Sequence, residues 1–378
     1  MLGTTLSRLR CPNKKTGKIP CLGKLSVISG NPSLPHSIVD LTEIKNGKIK
    51  CEKCSAKYLI LAGVAILVEN TREYLLTHVK GISAHVKDVD IPKEYLEEYL
   101  EAKAEIEIEH IEEDLEAERV NALYLMNHFL RVKTTQTHAW WKPESEKGSP
   151  LIDSLVREHW DHGPFAQIRQ WVLELSVAPH IVELGCGVGG LASELRQKFK
   201  SYLGVDASFA SIVLARHLIL GTPRAGSLKI PGDLLNGPLT RKIELPPAPP
   251  PDGKIDFVVS DLENPALVRA DWDLTIALNA IDMLERPESL PELQNSLLKQ
   301  NGIAMQSCPY IWHQEVSQHL RKLLPKAVRD SAQAVEWLYE KAGFEIGKSI
   351  GHLPWLFFKH LRQLEIYSVH LFWAKKID

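Results

Sequence analysis

The sequence of 378 residues lacks any apolar run of the length that a membrane-spanning helix requires, and its first residues lack the apolar core of a secretory signal. We therefore expect a cytoplasmic protein without membrane contact. Cysteine is scarce, with six residues in the chain, and four of them fall within the first 54 residues. This distribution argues against a disulfide framework and draws attention to metal binding near the N-terminus.

The net charge is small as well, −2 in total, and says nothing about binding partners by itself. Its distribution along the chain is more informative. Residues 1–58 carry eleven Lys and Arg against three Asp and Glu, whereas residues 92–118 carry twelve Asp and Glu against two Lys. An asymmetry of this kind usually marks solvated faces, and less often a surface for nucleic acid or a protein partner.

The most informative stretch is IVELGCGVGG, at residues 181–190. An apolar run that ends in an acid and breaks into closely spaced glycines predicts a buried strand that leads into a ligand-binding turn. Gly185, Gly187 and Gly189 carry no side chain, so the backbone can adopt positive φ and approach a ligand closely. Apolar residues at helical spacing follow, and they predict a helix whose N-terminal amides face that ligand.

Two cofactor classes compete for this turn, because its glycine spacing also satisfies the dinucleotide fingerprint. Glu183 favours a cofactor with a methionine moiety over a dinucleotide. A carboxylate two residues before the first glycine suits the cationic amino group of methionine better than it suits a pyrophosphate. Asp206, at the end of the next predicted strand, supplies an acid for ribose hydroxyls. With the glycines, this pattern resembles motifs I and II of class I S-adenosylmethionine methyltransferases. A dinucleotide enzyme and a non-catalytic copy of the fold are the alternatives.

Two further strand ends are predicted to complete the cofactor site. The strand IDFVVS is followed by Asp261 and Leu262, where an acid normally meets the adenine amino group. The strand WDLTIAL is followed by Asn279, in the crevice where open α/β sheets bind ligands. We therefore expect Asp261, Leu262 and Asn279 to bind the cofactor together with the glycine turn.

The four N-terminal cysteines have the pattern of a zinc site. Two residues separate Cys51 from Cys54, a spacing that lets both thiolates bind one tetrahedral ion. Nine residues separate Cys11 from Cys21, so a loop must be extruded if both bind the same ion. The stretch has too few large apolar residues for a core of its own, the situation in which a structural metal stabilises a small fold. Incidental thiols are the alternative.

This N-terminal stretch resembles the small zinc-ribbon activator of tRNA, rRNA and release-factor methyltransferases. The sequence departs from that family in its stretched first knuckle and in Leu59 and Ala65, which stand where the family has proline. The resemblance implies a zinc ribbon and leaves RNA open as a partner, given the basic charge. The residues that match the family are Cys11, Pro12, Cys21, Gly23, Leu25, Cys51, Cys54, Tyr58, Ile60 and Gly63.

Apolar residues recur at helical spacing from residue 92 to about residue 130, with Leu100 and Ala104 among them, and glutamates flank the stripe. The pattern predicts a long amphipathic helix that packs on the following domain, in preference to an interaction arm. Between this helix and the glycine turn, His159, Trp160 and Phe165 either line a substrate pocket or belong to the core.

The C-terminal part resembles a second family, the methyltransferase domain of ovothiol biosynthesis, which is a mercaptohistidine N-methyltransferase. The family pattern N-L-I-D-R-L-x-x-P is matched by NAIDMLERP at residues 279–287, and S-P-Y-T-W by CPYIW at residues 308–312. Met283 and Cys308 depart from the family arginine and serine. The resemblance implies methyl transfer to a small imidazole- or thiol-bearing metabolite, with a zinc ribbon in place of the family's sulfur-transfer domain.

An imidazole acceptor offers a neutral lone pair near pH 7, so no strong base is required. We expect Asp282 to orient the acceptor ring through its other N–H, and Tyr310 and Trp312 to stack on the acceptor or on the cationic donor. Ordinary packing at the end of the sheet is the alternative for both rings. An RNA- or protein-modifying methyltransferase and a non-catalytic cofactor-binding scaffold are the alternative functions.

The predicted fold is a Rossmann-like, doubly wound α/β domain at residues 151–378, preceded by a zinc ribbon at residues 1–70 and a helical connector at residues 71–150. The predicted cofactors are S-adenosyl-L-methionine and a structural Zn²⁺. A small-molecule substrate is favoured over nucleic acid. RNA would demand a broad basic track, and the one strongly basic stretch of the chain is the ribbon itself.

Overall fold

The structure is a computed structural model that describes most of the chain. Of the predicted helical connector, residues 110–122, 126 and 129–149 lie outside the described part. The described residues are 1–14, 19–32, 43–109, 123–125, 127–128, 150–175, 178–195, 198–220, 227–230, 239–242, 254–360 and 363–377.

After residue 179 the chain contains both strands and helices. In chain order the strands are β1 (Leu25–Pro32), β2 (Ile44–Cys51), β3 (Lys57–Leu61), β4 (Val64–Leu67), β5 (His180–Leu184), β6 (Ser201–Asp206), β7 (Ser227–Ile230), β8 (Leu239–Lys242), β9 (Ile255–Ser260), β10 (Trp272–Leu278), β11 (Leu298–Cys308), β12 (Phe344–His360) and β13 (Gln363–Lys376). The described α-helices are α1 (Thr71–Thr77), α2 (Val79–Ser83), α3 (Lys93–Glu109), α4 (Pro150–His162), α5 (Pro164–Glu174), α6 (Gly190–Leu195), α7 (Phe209–Leu220), α8 (Ser289–Leu297), α9 (Gln314–Leu323) and α10 (Ser331–Lys341).

Contacts divide the described residues into two compact units, and each unit gathers segments that are distant in sequence. The domain boundaries at residues 70 and 150 therefore stay a prediction about sequence segments. The first unit comprises residues 1–128, 187–192 and 203–268, and the second comprises residues 129–186, 193–202 and 269–378.

In the first unit, the N-terminal strands continue into an α/β sheet. β1, β2, β3 and β4 pair as antiparallel neighbours. β4 then pairs in parallel with β9, with Ile66 opposite Val259, and β6 follows β9. The four N-terminal strands are therefore hydrogen-bonded to the α/β sheet through β4, which is buried along its whole length.

Buried charges join the N-terminal segment to β9 within the same unit. Asp256, on β9, accepts hydrogen bonds from the backbone N–H of Leu2 (2.8 Å) and from the hydroxyl of Thr5 (2.6 Å). Arg216, on α7, pairs with Asp256 and with Glu43, its distance to the Glu43 carboxylate being 2.9 Å. Because a buried guanidinium without carboxylate partners is costly, this network fixes how the N-terminal strands lie on β9.

In the second unit, the strand order is β5-β10-β11-β13-β12. β5, β10 and β11 are parallel, with Leu274 on β10 opposite Ile181 on β5 and Ile303 on β11. β13 is antiparallel to β11 and to β12. The apolar runs of β5 and β10 are buried, which is typical of parallel strands covered on both faces.

The connector helix begins at Lys93, as predicted, and its buried face around residue 100 differs from the predicted one. Leu100 is 40% exposed and Ala104 is exposed, whereas Tyr99 is fully buried. A tyrosine thus supplies the main apolar contact of this turn, while Leu125, a later member of the predicted stripe, is buried. One turn after Tyr99, Lys103 donates hydrogen bonds to Asp88 at 2.9 and 3.0 Å, which keeps the same face against the protein.

Helices α6, α7 and α8 follow strands β5, β6 and β10, whereas β7 to β10 follow one another in the described residues without an α-helix. β10 pairs in parallel with both β5 and β11, and α8 joins β10 to β11. The predicted Rossmann-like, doubly wound α/β fold is thus confirmed.

Candidate active site

Glu183 lies at the end of β5, in the second unit, with 3% of its surface exposed. Its carboxylate accepts a hydrogen bond from the hydroxyl of Tyr202 on β6. Burial and the Glu183 charge hold the pKa of Tyr202 well above its usual value, so the phenol keeps its proton and stays the donor. Glu183 is therefore fixed directly ahead of the glycine turn, and its contact with a methionine amino group stays a prediction.

The glycines of the turn have the backbone conformation that the sequence predicts. Gly185, in the second unit, has φ +76°, and in the first unit Gly187 and Gly189 have φ +50° and +78°. A β-carbon on Gly189 would lie 3.0 Å from the ring of Phe257, so this position has no room for a side chain. Among the described residues, only His128 would come within 4 Å of a β-carbon on Gly187, at 3.7 Å.

Asp206 follows the same turn in the first unit. One carboxylate oxygen accepts the backbone N–H of Gly187 at 2.9 Å, and the other accepts that of Ser208 at 2.8 Å. Burial raises the pKa of Asp206, although the backbone N–H groups of Ser208, Gly187 and Ala207 act in the opposite direction. A carboxylate oxygen has more than one acceptor site, so these two bonds leave acceptor capacity for a ribose hydroxyl.

Asp261 and Leu262 lie directly after β9, also in the first unit. The Asp261 carboxylate is exposed and accepts the backbone N–H of Glu263 at 2.9 Å, while Leu262 is half-buried. An exposed acid that caps the backbone beyond a strand end can reach a ligand. Both residues thus have the exposure that the predicted adenine contact needs.

Asn279 lies at the corresponding end of β10, in the second unit. It adopts φ +52°, a left-handed conformation that asparagine tolerates better than most residues. Its backbone N–H donates to the carbonyl of Ser307 at 2.7 Å, and the Ser307 hydroxyl lies 3.4 Å from its side-chain oxygen. The loops that follow β10 and β11 are thus tied together at their first residues.

Asp282 ties the same two loops together a second time. Its carboxylate is buried and accepts the backbone N–H of Ile311 at 2.9 Å. It also hydrogen-bonds to Cys308, whose pKa is raised by burial and by the Asp282 charge, so the thiol keeps its proton and donates. The structure therefore gives Asp282 a contact that the sequence did not predict, and its contact with an acceptor ring stays a prediction.

Tyr310 and Trp312 form the aromatic part of this region in the second unit. Their rings are stacked, with centroids 5.6 Å apart and planes inclined by 13°. The indole N–H of Trp312 donates to the hydroxyl of Ser331 at 3.0 Å, and the ring packs on a cluster that includes Val316 and Leu338. Trp312 is thus held by packing, and it in turn presents a flat face to Tyr310.

The partner of the Tyr310 hydroxyl is a residue that the sequence pattern did not predict. That oxygen lies 2.6 Å from Nδ1 of His370, on β13, and His370 also contacts Glu336 and Ser349. The available signal is a lone histidine inside the apolar run of β13, next to buried Val369. A histidine at a buried strand position needs polar partners, which points to a network.

His128 is a second residue that the sequence did not single out. Its imidazole lies against the glycine turn in the first unit, because a β-carbon on Gly190 would come within 2.6 Å of its Nδ1. The ring of Tyr124 meets it edge-on, with centroids 5.9 Å apart. Both rings belong to the short helical part described at residues 123–125 and 127–128.

His159, Trp160 and Phe165 belong to the core of the second unit. Each has 3% of its surface exposed, and the rings of His159 and Phe165 pack on Trp355 with centroids 5.8 and 5.1 Å apart. Of the two interpretations predicted for this segment, pocket or core, the structure supports the core.

The four N-terminal cysteines converge in the first unit, as predicted. Their sulfur atoms lie within 4.8 Å of one another, with 3.5 Å between Cys11 and Cys54 and 3.7 Å between Cys21 and Cys51. Tetrahedral coordination with Zn–S bonds of ~2.3 Å places two sulfurs ~3.8 Å apart. A disulfide needs ~2.05 Å. The donor set therefore fits a zinc ion and does not contain a disulfide.

The surroundings of the cluster also suit a metal-bound thiolate. The backbone N–H groups of Lys53 and Cys54 both point at the Cys51 sulfur, at 3.4 Å. The hydroxyl of Tyr58 lies 2.9 Å from the Cys11 sulfur. A β-carbon on Gly23 would come within 2.6 Å of the Cys51 sulfur, so glycine is required there. Donors to the ligand sulfurs are typical of metal sites.

Within the described part of the chain, no helix combines the length and apolar character needed to cross a membrane. Residues 158–348, about half of the chain, match a family model described as a methyltransferase domain. No curated protein matches the chain.

The chain is similar to solved structures that carry such domains. A complex of the Trm112 methyltransferase activator of Haloferax volcanii with a protein proposed to be a methyltransferase has 15% identity and TM-score 0.38, over 60% of this chain and 92% of the other. An S-adenosylmethionine-dependent methyltransferase of Thermotoga maritima, described as a possible histamine N-methyltransferase, has 18% identity and TM-score 0.33. The match covers 60% of this chain and 96% of the other. The magnesium protoporphyrin IX methyltransferase of Synechocystis PCC 6803 has 13% identity and TM-score 0.38. The match covers 69% of this chain and 100% of the other. At these TM-scores, we draw no functional conclusion from the three.

Proposed function

Because the chain belongs to the family of methyltransferase domains and is an S-adenosylmethionine-dependent methyltransferase, we propose that it methylates a small imidazole- or thiol-bearing metabolite of the mercaptohistidine type. The observation that carries this proposal is a buried carboxylate that joins the loops after β10 and β11, next to two stacked rings in the second loop. Asp282 binds the Ile311 backbone, and Tyr310 stacks on Trp312. Together these contacts make one flat aromatic wall beside one buried carboxylate, which suits a small planar acceptor.

The charge of these loops favours a small acceptor over RNA. Residues 279–283 and 308–312 contain no Lys or Arg, and Asp282 is their one carboxylate; Arg286, further along the first loop, pairs with Glu288. RNA binding needs basic side chains along a track of phosphates, and its affinity depends on them. A polyanion would meet a carboxylate and no basic track at this position, whereas an imidazole N–H can donate to such a group.

For the donor, we propose that the glycine turn binds the methionine part and the strand ends bind the nucleoside. Gly185, Gly187 and Gly189 would give close backbone approach, and Glu183 would face the amino group. Asp206 would bind the ribose hydroxyls, Asp261 and Leu262 would contact the adenine, and Asn279 would bind the cofactor at the end of β10. The positive φ angles of the glycines and the exposed Asp261 carboxylate support this assignment.

When bound, the sulfonium donor supplies a methyl carbon that is already activated, so the protein contributes mainly proximity and alignment. Asp282 acts in this scheme as a positioning residue, since it holds the backbone of the loop that carries Tyr310. Trp312, packed on the α9 and α10 side chains, fixes the plane of the aromatic wall. An imidazole acceptor attacks the methyl carbon with its own lone pair. The methylated product is a cation that must then lose one proton.

We also propose that Cys11, Cys21, Cys51 and Cys54 bind one structural zinc ion. The sulfur separations and the backbone N–H groups at Cys51 support the proposal. Such a site would stabilise β1 to β3, whose few apolar residues make a small core.

The function is tested by supplying the purified protein with labelled methyl donor and four acceptor pools: thiol-histidines, free amino acids, total tRNA and a protein extract. We expect label in the thiol-histidine or imidazole pool, with rates that change little between low and moderate salt. Label in tRNA alone, with a rate that falls steeply as salt rises, would replace this acceptor class by RNA. Label in the protein extract alone would assign a protein substrate.

A further inference from the structure

A chain of polar groups leads from Tyr310 to the surface of the second unit. The Tyr310 hydroxyl lies 2.6 Å from His370 Nδ1. His370 Nε2 lies 2.8 Å from the Ser349 hydroxyl and 3.3 Å from a Glu336 carboxylate oxygen. The Ser349 hydroxyl donates to the same oxygen at 2.7 Å. His370 is buried, Ser349 is exposed and the Glu336 side chain is 28% exposed, so the chain ends at solvent.

The direction of each hydrogen bond between Glu336 and Tyr310 follows from the Glu336 carboxylate. An ionised carboxylate only accepts, so the Ser349 hydroxyl donates to Glu336 and its oxygen is left to accept from His370. His370 therefore carries its proton on Nε2, and its Nδ1 holds a lone pair. Tyr310 must then donate to Nδ1, which leaves the phenol oxygen with lone pairs for another donor.

His370 is neutral in this environment. Burial lowers its pKa and His352, on β12, acts in the same direction, whereas Glu336 on α10 and Asp330 ahead of α10 raise it by less. A neutral imidazole with a lone pair on Nδ1 can accept the Tyr310 proton as the phenol oxygen receives one from the acceptor. Burial raises the pKa of Tyr310, so the two transfers occur together and no free phenolate forms. The resulting cation would lie 3.3 Å from the Glu336 carboxylate, which stabilises it.

Tyr310 is held in an unfavourable backbone conformation at this point. Its φ of +61° is in the left-handed region, which L side chains other than asparagine and aspartate rarely adopt. The Asp282 bond to the next residue, Ile311, and the stack on Trp312 keep it there. Strain that the surroundings enforce at one side chain indicates that the position of this hydroxyl matters.

We propose that Tyr310, His370 and Glu336 form a proton relay that removes the proton released by the methyl acceptor. The proposal rests on the proposed function, in which the acceptor has an N–H or S–H group. The acceptor atom forms its bond to the methyl carbon while the carbon–sulfur bond breaks, and that electron pair stays on the donor sulfur. The acceptor proton moves to the Tyr310 oxygen, and the Tyr310 proton moves to His370 Nδ1. His370 Nε2 later releases a proton through Ser349 or Glu336 to water.

The relay is tested first by a double-mutant cycle with Tyr310→Phe and His370→Gln. Each single variant should lower kcat about a hundredfold, with donor affinity by calorimetry within twofold of wild type. The double variant should lose no more than either single one, because both act on one proton. Losses that multiply would overturn the relay. His162→Gln is the matched control, an exposed histidine on α4 that should keep full activity.

A second measurement needs no turnover and is made on the wild-type protein. Nitrogen NMR of labelled histidine should show His370 neutral at pH 7, with the proton on Nε2 and none on Nδ1. A proton on Nδ1, or a charged ring, would overturn the relay even if the variants fail to fold. Glu336→Gln, at a half-exposed position, should keep the neutral tautomer and lower kcat by about tenfold by removing the stabilising charge.

The two proposals fail in different ways. If RNA proves to be the acceptor, the proposed acceptor class is wrong. The double-mutant cycle is then measured with RNA as the acceptor, and losses of kcat that do not multiply still support the relay. If a thiol-histidine is methylated while the losses multiply, the acceptor class stands and the relay is overturned.

Discussion

The carboxylate of Asp282 accepts the backbone N–H of Ile311 at 2.9 Å and so joins the loops that follow β10 and β11. Asparagine can keep this bond through its amide oxygen, whereas alanine cannot. If Asp282 acts by holding the loop, Asp282→Ala should lower kcat about tenfold or more and Asp282→Asn only a few fold, with donor affinity within twofold for both.

The ranking of these two variants separates the role seen in the structure from the role predicted from the sequence. Equal and large losses of kcat in Asp282→Asn and Asp282→Ala would show that the charge itself contacts the acceptor. Steady-state kinetics with the acceptor identified by the labelled-donor experiment, together with calorimetry of the donor, measure both quantities.

Gly187→Val should abolish donor binding. The residue has φ +50°, which valine adopts only with strain, and the side chain would fill the space between the turn and His128. Calorimetry should detect no donor binding at concentrations that saturate the wild-type protein, while the melting temperature falls by a few degrees at most. Gly351→Val is the control, since a β-carbon on Gly351 would meet no atom of the described residues within 4 Å. Retained affinity in Gly187→Val would remove the turn from the donor site.

The sequence sufficed for those parts of the fold and site that follow from local pattern. The strand ends at Asp206, Asp261 and Asn279 were predicted because an apolar run followed by a polar residue at a strand end is visible in one dimension. The positive φ of Gly187 was predicted for the same kind of reason, since glycine spacing reports backbone conformation directly.

Contacts between distant segments were out of reach of the same reasoning. The bond between Tyr310 and His370 joins residues 60 positions apart, and nothing in either segment indicates the other. Tyr99 was missed on α3 because an aliphatic count ignores the apolar ring of tyrosine, which supplies the buried contact. Sequence pattern reports the conformation of a segment, and side-chain networks depend on how segments pack.

One zinc ion per chain is expected from elemental analysis, and Cys51→Ser should lower that content and destabilise the N-terminal strands before the rest of the protein. The physical reason is that Cys51 would supply a ligand sulfur, which two backbone N–H groups and the close approach of Gly23 hold in place. Cys186→Ala, outside the cluster, should leave the zinc content unchanged. Hydrogen exchange of β1 to β3 measures the local effect. A metal-free wild-type protein with the same protection would contradict the site.

The last prediction concerns His159, on α4, whose ring is buried and whose Nδ1 lies 3.2 Å from the Pro354 carbonyl oxygen. Burial lowers its pKa to about 4, from an ordinary value of 6.5, and the Pro354 bond opposes this only in part. In the unfolded chain His159 therefore binds a proton below pH 6.5. In the folded protein it binds that proton only below about pH 4.

It follows that the unfolding free energy should fall as the pH drops from 6.5 to 4, and that His159 should contribute ~3 kcal/mol to the total decrease. Above pH 6.5 the histidine is neutral in both states and makes no pH-dependent contribution. His159→Gln removes the titrating group, so its stability should fall less steeply over this window, although the variant starts lower because the ring packing is lost. His162→Gln, an exposed position on the same helix, should keep the wild-type slope. Denaturant unfolding at pH 7, 6, 5 and 4 measures these slopes, and an identical slope in His159→Gln and wild type would show that His159 is not the group that titrates.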